Sequence, residues 1–286
     1  KMKKIVNISL IASLTITSLV ASDSISEAFT NGEFQGSLKS YYFQENQKDT
    51  GKSAIINNGG SVNYKTDEYL DLKAGATFQF SSTANINGTN RFAYDEEASG
   101  AVLSESYLSY SKDNSTFKIG RQFIGTPLLA GSGSRMIRQS FQGYTFNNTD
   151  FNQTKIFAAY VDRFQGRTDT KGNPGKFSKT FNTNSALYQR ELKKGAYTLY
   201  LQNTSIPNLT LDLQYLKAVD NFATSYLVAN YNLDSFFVAG QYIGTSYDTN
   251  DKNGNFFAGR IGANHKNFSI VLSASKNNSD ETVESG

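Results

Sequence analysis

No cysteine occurs among the 286 residues, which excludes a disulfide framework and any thiolate metal centre. Tryptophan is also missing, proline appears three times, and His265 is the single histidine. Beyond residue 21 no apolar run approaches the ~20 residues that a spanning helix needs. The chain is therefore not a helical membrane protein. Acidic residues are missing from one long stretch, Asn114 to Thr149, which carries Lys118, Arg121, Arg135 and Arg138. Glycine is abundant, at 23, and so are Asn, Ser, Thr, 21 Phe and 17 Tyr. That is the composition of strands and turns.

Lys1, Lys3 and Lys4 precede an apolar stretch from Ile5 to Val20, and the small Ala21 follows. A basic head, an apolar middle and a small residue make the order of an export signal. Residues 1–21 are read as a signal peptide and residues 22–286 as one barrel domain. Leu19, two places before Ala21, makes the cleavage site imperfect. A short buried helix is the alternative. Removing the segment leaves 25 of the 28 basic residues against 25 acidic ones. The remaining chain is formally neutral, so the charge basis for nucleic-acid binding disappears.

Past the signal, polar and apolar residues alternate with the two-residue period of strands. Leu70, Leu72, Ala74, Ala76, Phe78 and Phe80 share one face, and Tyr69, Asp71, Lys73, Gly75, Thr77 and Gln79 the other. Leu209, Leu211, Leu213 and Tyr215 oppose Thr210, Asp212 and Gln214. Thirteen strands are predicted, near 32–45, 53–66, 68–82, 100–112, 115–123, 141–148, 151–164, 195–204, 208–218, 221–232, 235–246, 255–265 and 268–276. Many are about 10 residues long, enough to cross a bilayer when tilted.

Short turns, such as Lys112-Asp113-Asn114, alternate along the chain with long loops near 46–52, 82–99, 124–140, 165–194 and 247–254. This rhythm is that of an antiparallel transmembrane β-barrel of the outer membrane. It leaves Ser185–Leu192, which also reads as a strand, inside one long loop. The Asp248–Gly254 stretch resembles a calcium loop but lacks the later bidentate acid, so it reads as a solvated loop. Within lipid every backbone N–H and C=O needs a protein partner, and a closed barrel supplies one. Apolar side chains then face lipid and polar ones face a wet interior.

The stretch "GRQFIGTPLLAGSGSRMIRQSFQG", Gly120–Gly143, is a glycine-rich interruption in this rhythm. A wide lumen is not filled by its wall side chains. A loop that bends inward, with Leu128, Leu129, Met136 and Ile137 against the wall, would narrow it. Arg135 and Arg138, with Arg121, Lys118, Ser134, Gly131 and Gly133, form the predicted constriction. Glu105, Asp71, Lys73, Asp212 and Arg260 are the predicted pore wall. A cationic passage of low dielectric attracts anions and repels cations. Strict alternation puts Arg121 on the lipid face with Phe117 and Ile119. A bulge at Gly120 or a position at the rim would relieve that conflict.

Gly120-Arg121-Gln122, Pro127-Leu128-Leu129, Ser134-Arg135-Met136 and Ser140-Phe141-Gln142-Gly143 resemble the third-loop region of OprD-type outer-membrane porins. Gly36–Phe43, "GSLKSYYF", is similar to their first strand. The resemblance implies an 18-stranded barrel with the third loop folded into the lumen. It also implies passive diffusion of small solutes, often anionic or amino-acid-like. The chain departs from the family at Ser132-Gly133, where an Asn-Asp-like pair is usual, and at Arg138, where proline is common. Thirteen strands is an odd number, and the resemblance implies about five more beyond Gly286; a closed 14-stranded barrel is the alternative. Membrane lipid, lipopolysaccharide and small solutes are the expected partners, with no cofactor and no metal. Monomer and homotrimer both fit the alternation.

Two other functions compete with a channel. A barrel lipase or protease would have to use His265, which falls at a tight turn, and Gly131-Ser132-Gly133-Ser134 is not a nucleophile elbow. A surface adhesin built as a soluble sandwich would also alternate.

Overall fold

A computed structural model describes residues 5–16, 22–47, 51–87, 98–169, 171–183, 185–248 and 253–278. In chain order its elements are β1 (Ile5–Ile16), α1 (Ile25–Thr30), β2 (Glu33–Gln47), β3 (Gly51–Lys65), β4 (Leu72–Asn87), β5 (Gly100–Lys112) and β6 (Ser115–Gln122). Then come β7 (Gly125–Thr126), β8 (Leu129–Ala130), β9 (Ser140–Asn148), β10 (Thr154–Gln165), β11 (Phe177–Ser178), β12 (Thr180–Thr183) and β13 (Ser185–Glu191). The last are β14 (Ala196–Asn203), β15 (Leu209–Ala218), β16 (Phe222–Leu233), β17 (Phe236–Tyr247), β18 (Gly254–His265) and β19 (Phe268–Asn277). The wall is β2 to β6, β9, β10 and β14 to β19, and these match the thirteen strands read from the alternation. Each pairs antiparallel with the next, and the sheet stays open between its two end strands.

The two-residue period sorts the side chains by chemistry. Phe78, Leu108, Phe117, Ile119, Tyr144, Leu199, Leu213 and Phe257 are exposed on the outer face. Thr77, Gln79, Ser109, Thr145, Thr198, Gln214, Thr224 and Thr245 are buried on the inner one. A soluble sheet does the reverse; a wall between lipid and a wet interior requires this order. An aromatic band crosses four strands on the outside. Phe117 stacks on Tyr144, Tyr144 on Tyr160, and Tyr160 lies 4.7 Å from Tyr197.

The tight turns fall together at one end. Asp113, Asn208, Asp234 and Lys266 turn there with φ of 49°, 66°, 39° and 50°; Asp and Asn enter this left-handed region at low cost. Helix α1 sits at the same end. Its Ser24 cap accepts the Glu27 N–H, and the Glu27 carboxylate reaches back to the N–H of Asp23, the residue before the cap. The helix is tied to the turn after β3 by the Asp67 N–H donating to the Ala28 carbonyl at 2.8 Å.

Strand bounds and pairings add detail to the alternation. The strand expected from residue 68 starts at Leu72, because Leu70 and Asp71 form a turn with φ of 51° and 63°. The alternation runs through that turn, so period alone does not mark where the strand begins. Ser185–Glu191 is a strand, but it pairs only with β12 in a hairpin outside the wall, as the loop reading requires. The apolar Ile5–Ile16 is extended and pairs along the edge of β2, from Ile5 with Glu45 to Ile16 with Phe34. Residues 1–4 and 17–21 of the expected signal lie outside the described residues, as do residues 249–252 of the calcium-like loop. Among the described residues no helix is long and apolar enough to cross a membrane, which does not bear on strands.

Candidate functional site

The loop from Phe123 to Gln139, between β6 and β9, enters the barrel. Its first half is a small apolar wedge. Pro127 and Leu128 turn the β7–β8 pair, closed by the Thr126 hydroxyl donating to the Leu129 carbonyl at 3.0 Å. Ile124, Leu128 and Leu129 are buried among Val161, Ala196, Leu216, Ala218 and Phe222 of the wall. Removing such side chains from water is worth about 1.5–3 kcal/mol each. The inward fold therefore has its own driving force.

Backbone that leaves solvent needs partners, and wall side chains supply them. The Phe123 N–H donates to Glu105 Oε1 at 3.2 Å, and the Leu128 N–H to Gln214 Oε1 at 2.8 Å. Gln79 meets Arg138 twice: Gln79 Nε2 donates to the Arg138 carbonyl at 2.9 Å and the Arg138 N–H donates to Gln79 Oε1 at 2.8 Å. Met136 and Ile137 are 2% and 1% exposed beside this point. A side chain on Gly59 would collide with the Phe80 carbonyl of β4 at 2.2 Å and press on Met136 of the loop at 3.0 Å, so glycine suits the close packing here.

The predicted constriction residues divide. Arg138 lies 4.2 Å above the Phe123 ring, its Nε buried without a hydrogen-bond partner among the described residues. Arg135 is partly buried in the same segment, and Gly133 and Ser134 are exposed beside it. Ser134 accepts from Arg167 of the next long loop at 3.3 Å. Gly131 is buried, because the Gln139 carbonyl lies 2.3 Å from where its side chain would stand. Lys118 points inward over the Tyr107 ring at 4.1 Å. Arg121 is not brought to this group. Gly120 has a φ of 121°, yet its pairing with Tyr107 and Gly143 does not slip, so no bulge turns Arg121 inward. Arg121 stays on the outer face at the loop end of β6, 4.4 Å from the Phe177 ring and 3.4 Å from the Leu103 carbonyl. This is the rim position that resolves its conflict with Phe117 and Ile119.

The predicted wall residues also divide. Glu105 is buried beneath the loop and accepts the Thr77 hydroxyl at 2.6 Å. Lys73 pairs with Glu68 at 3.2 Å near the tight-turn end, and Asp71 lies in the turn itself. Asp212 accepts from Tyr200 at 2.5 Å and from Gln202 at 3.0 Å. Arg260 reaches Asn230 at 3.3 Å. Asp212, Tyr226, Asn230, Gln241, Arg260 and Ser273 line one inward groove of about 530 Å³. Sequence reasoning missed Lys39, on the inner parity of β2 opposite Gly59 and within electrostatic reach of Arg138.

A strand wall with polar lining, apolar exterior and an inward third loop has a counterpart among known families. The model of a family described as outer membrane porin, OprD family, matches residues 28–282. The chain belongs to the OprD family. It is an outer-membrane protein of the Gram-negative type, and OprD-family porins are channels. No curated protein matches the sequence. Solved structures match in fold. Acinetobacter baumannii OccAB4 is 15% identical with a TM-score of 0.68, over 86% of this chain and 68% of that one. Pseudomonas aeruginosa OccK9 (OpdG) is 11% identical with a TM-score of 0.72, over 90% and 71%. Pseudomonas aeruginosa OpdK, solved with vanillate, is 14% identical with a TM-score of 0.73, over 90% and 69%.

In this OprD-family chain the single histidine stands far from the constriction loop along the wall. His265 is the last residue of β18, before the tight turn at Lys266 and Asn267, while the third loop enters from the opposite end.

Proposed function

We propose that this porin passes small anionic solutes, carboxylates foremost, through an opening bounded by Arg138, Arg135 and Lys39. The observation that carries this reading is Arg138. Its backbone is fixed by Gln79, while its guanidinium keeps a buried Nε without a hydrogen-bond partner among the described residues. A guanidinium fork suits a carboxylate. The absence of acids from Asn114 to Thr149 supports the same sign of field, and Glu105 is engaged by Thr77 and Phe123. That OpdK was solved with vanillate, an aromatic carboxylate, is consistent with such cargo. Reversal potentials across a salt gradient test the reading. Arg135→Ala with Arg138→Ala should lower the ratio of anion to cation permeability, and an unchanged ratio rejects their role.

We also propose that residues 1–21 direct export and are removed. The edge of β2 that β1 covers would then be free in the mature protein. Mass spectrometry of the membrane-extracted chain should find Ser22 at its start; a retained Ile5–Ile16 makes that segment a wall strand.

A further inference from the structure

Two glutamines on separate parts of the wall direct their amides at the third loop. Gln79 on β4 exchanges both hydrogen bonds with the Arg138 backbone, as a residue does in an antiparallel ladder. Its Nε2 also donates to Ser104 Oγ. Gln214 on β15 accepts the Leu128 N–H and donates to the Thr126 and Thr198 hydroxyls, both at 2.8 Å. Strands β5, β6, β9, β10 and β14 separate β4 from β15 in the sheet. The segment from Leu128 to Arg138 is thus tied to two distant parts of the wall.

We infer that Gln79 and Gln214 are positioning residues that set the aperture. They hold the loop by hydrogen bonds at both flanks, so the Arg138 guanidinium keeps one place in the passage. Their burial keeps both amides away from a passing solute. Both are 4% exposed beneath the loop. The side-chain type follows from the task. Glutamine is long enough to reach from the wall and offers both donor and acceptor. Glutamate keeps the acceptor and loses the donor. Methionine fills a similar volume and offers neither. The inference rests on the loop bounding the opening, not on which ion passes.

The test is single-channel recording of the protein in planar bilayers, with Gln79→Met, Gln214→Met and the double variant. The expected result is an open-state current that is larger and fluctuates between sub-levels, most in the double variant. Gln79→Glu should fall between the parent and Gln79→Met. Amide hydrogen exchange at Arg138 and Leu128 should run roughly tenfold faster, the loss of about one hydrogen bond. Folding is checked by the heat-dependent shift of the barrel on a denaturing gel. Folded variants with parental current, noise and exchange rates overturn the inference. Should the double variant not fold, the two single variants are judged by the same criteria. A changed anion preference with unchanged noise and exchange also overturns it, and leaves the solute reading intact.

Discussion

Glu105 accepts the backbone N–H of Phe123, the first residue of the inward loop, at 3.2 Å. Its other oxygen takes the Thr77 hydroxyl. Glu105→Ala leaves both donors without this acceptor in a closed site, at a cost of about 1–3 kcal/mol. Glu105→Gln keeps an acceptor and should lose less. Urea unfolding of the detergent-solubilised protein ranks the three; equal midpoints would remove Glu105 from the set of loop anchors.

Arg138 and Arg121 should separate in function. Arg138→Ala is expected to lower anion preference, since its guanidinium lies on the inward loop above Phe123. Arg121→Ala is expected to leave the ratio near that of the parent, because Arg121 lies on the outer face against Phe177. Reversal potentials read both. A large shift from Arg121→Ala would place its charge in the passage.

Spin labels along β4 check which side is wet. Phe78 is 53% exposed on the outer face, and its neighbour Thr77 is 4% exposed on the inner one. In bilayers a label at Phe78 should be relaxed by oxygen, which concentrates in hydrocarbon. A label at Lys73, on the parity of Thr77, should be relaxed by a water-soluble agent. Inverted accessibilities would overturn the facing of the entire wall.

Asp169, in the long loop after β10, carries a pH dependence. Desolvation raises its carboxyl, but hydrogen bonds from the Asn173 side chain and from the Asn173 and Lys171 N–H groups outweigh it and hold the group below its ordinary value. A carboxyl depressed by folding supports the loop at neutral pH and loses that support as pH falls through the lowered value. Exchange protection of the Lys171 and Asn173 amides should persist at pH 7 and vanish in acid. Asp169→Asn should flatten that profile.

The wall was legible because most of its strands carry an apolar face and a mainly polar one, a signal that recurs along the chain. Phe78 and Thr77, or Leu213 and Gln214, announce their sides by type alone. Strand starts were less legible, since Leu70 and Asp71 continue the alternation through a turn. The inward loop was visible in its glycines and its lack of acid. What it binds was not. Gln79 and Gln214 stand in the polar parity like any lumen residue, and only the folded loop brings Arg138 and Leu128 to them. Arg121 shows the limit from the other direction. Charge suggested the passage, parity suggested lipid, and the ring of Phe177, distant in sequence, decided for the rim.

The ties at Gln79 and Gln214 are amides, which neither titrate nor attract counterions. Guanidinium fields weaken as the Debye length shrinks from ~10 Å at 0.1 M salt to ~3 Å at 1 M. The bore of this channel should therefore keep its calibre from brine to fresh water, while the proposed preference for anions fades with salinity.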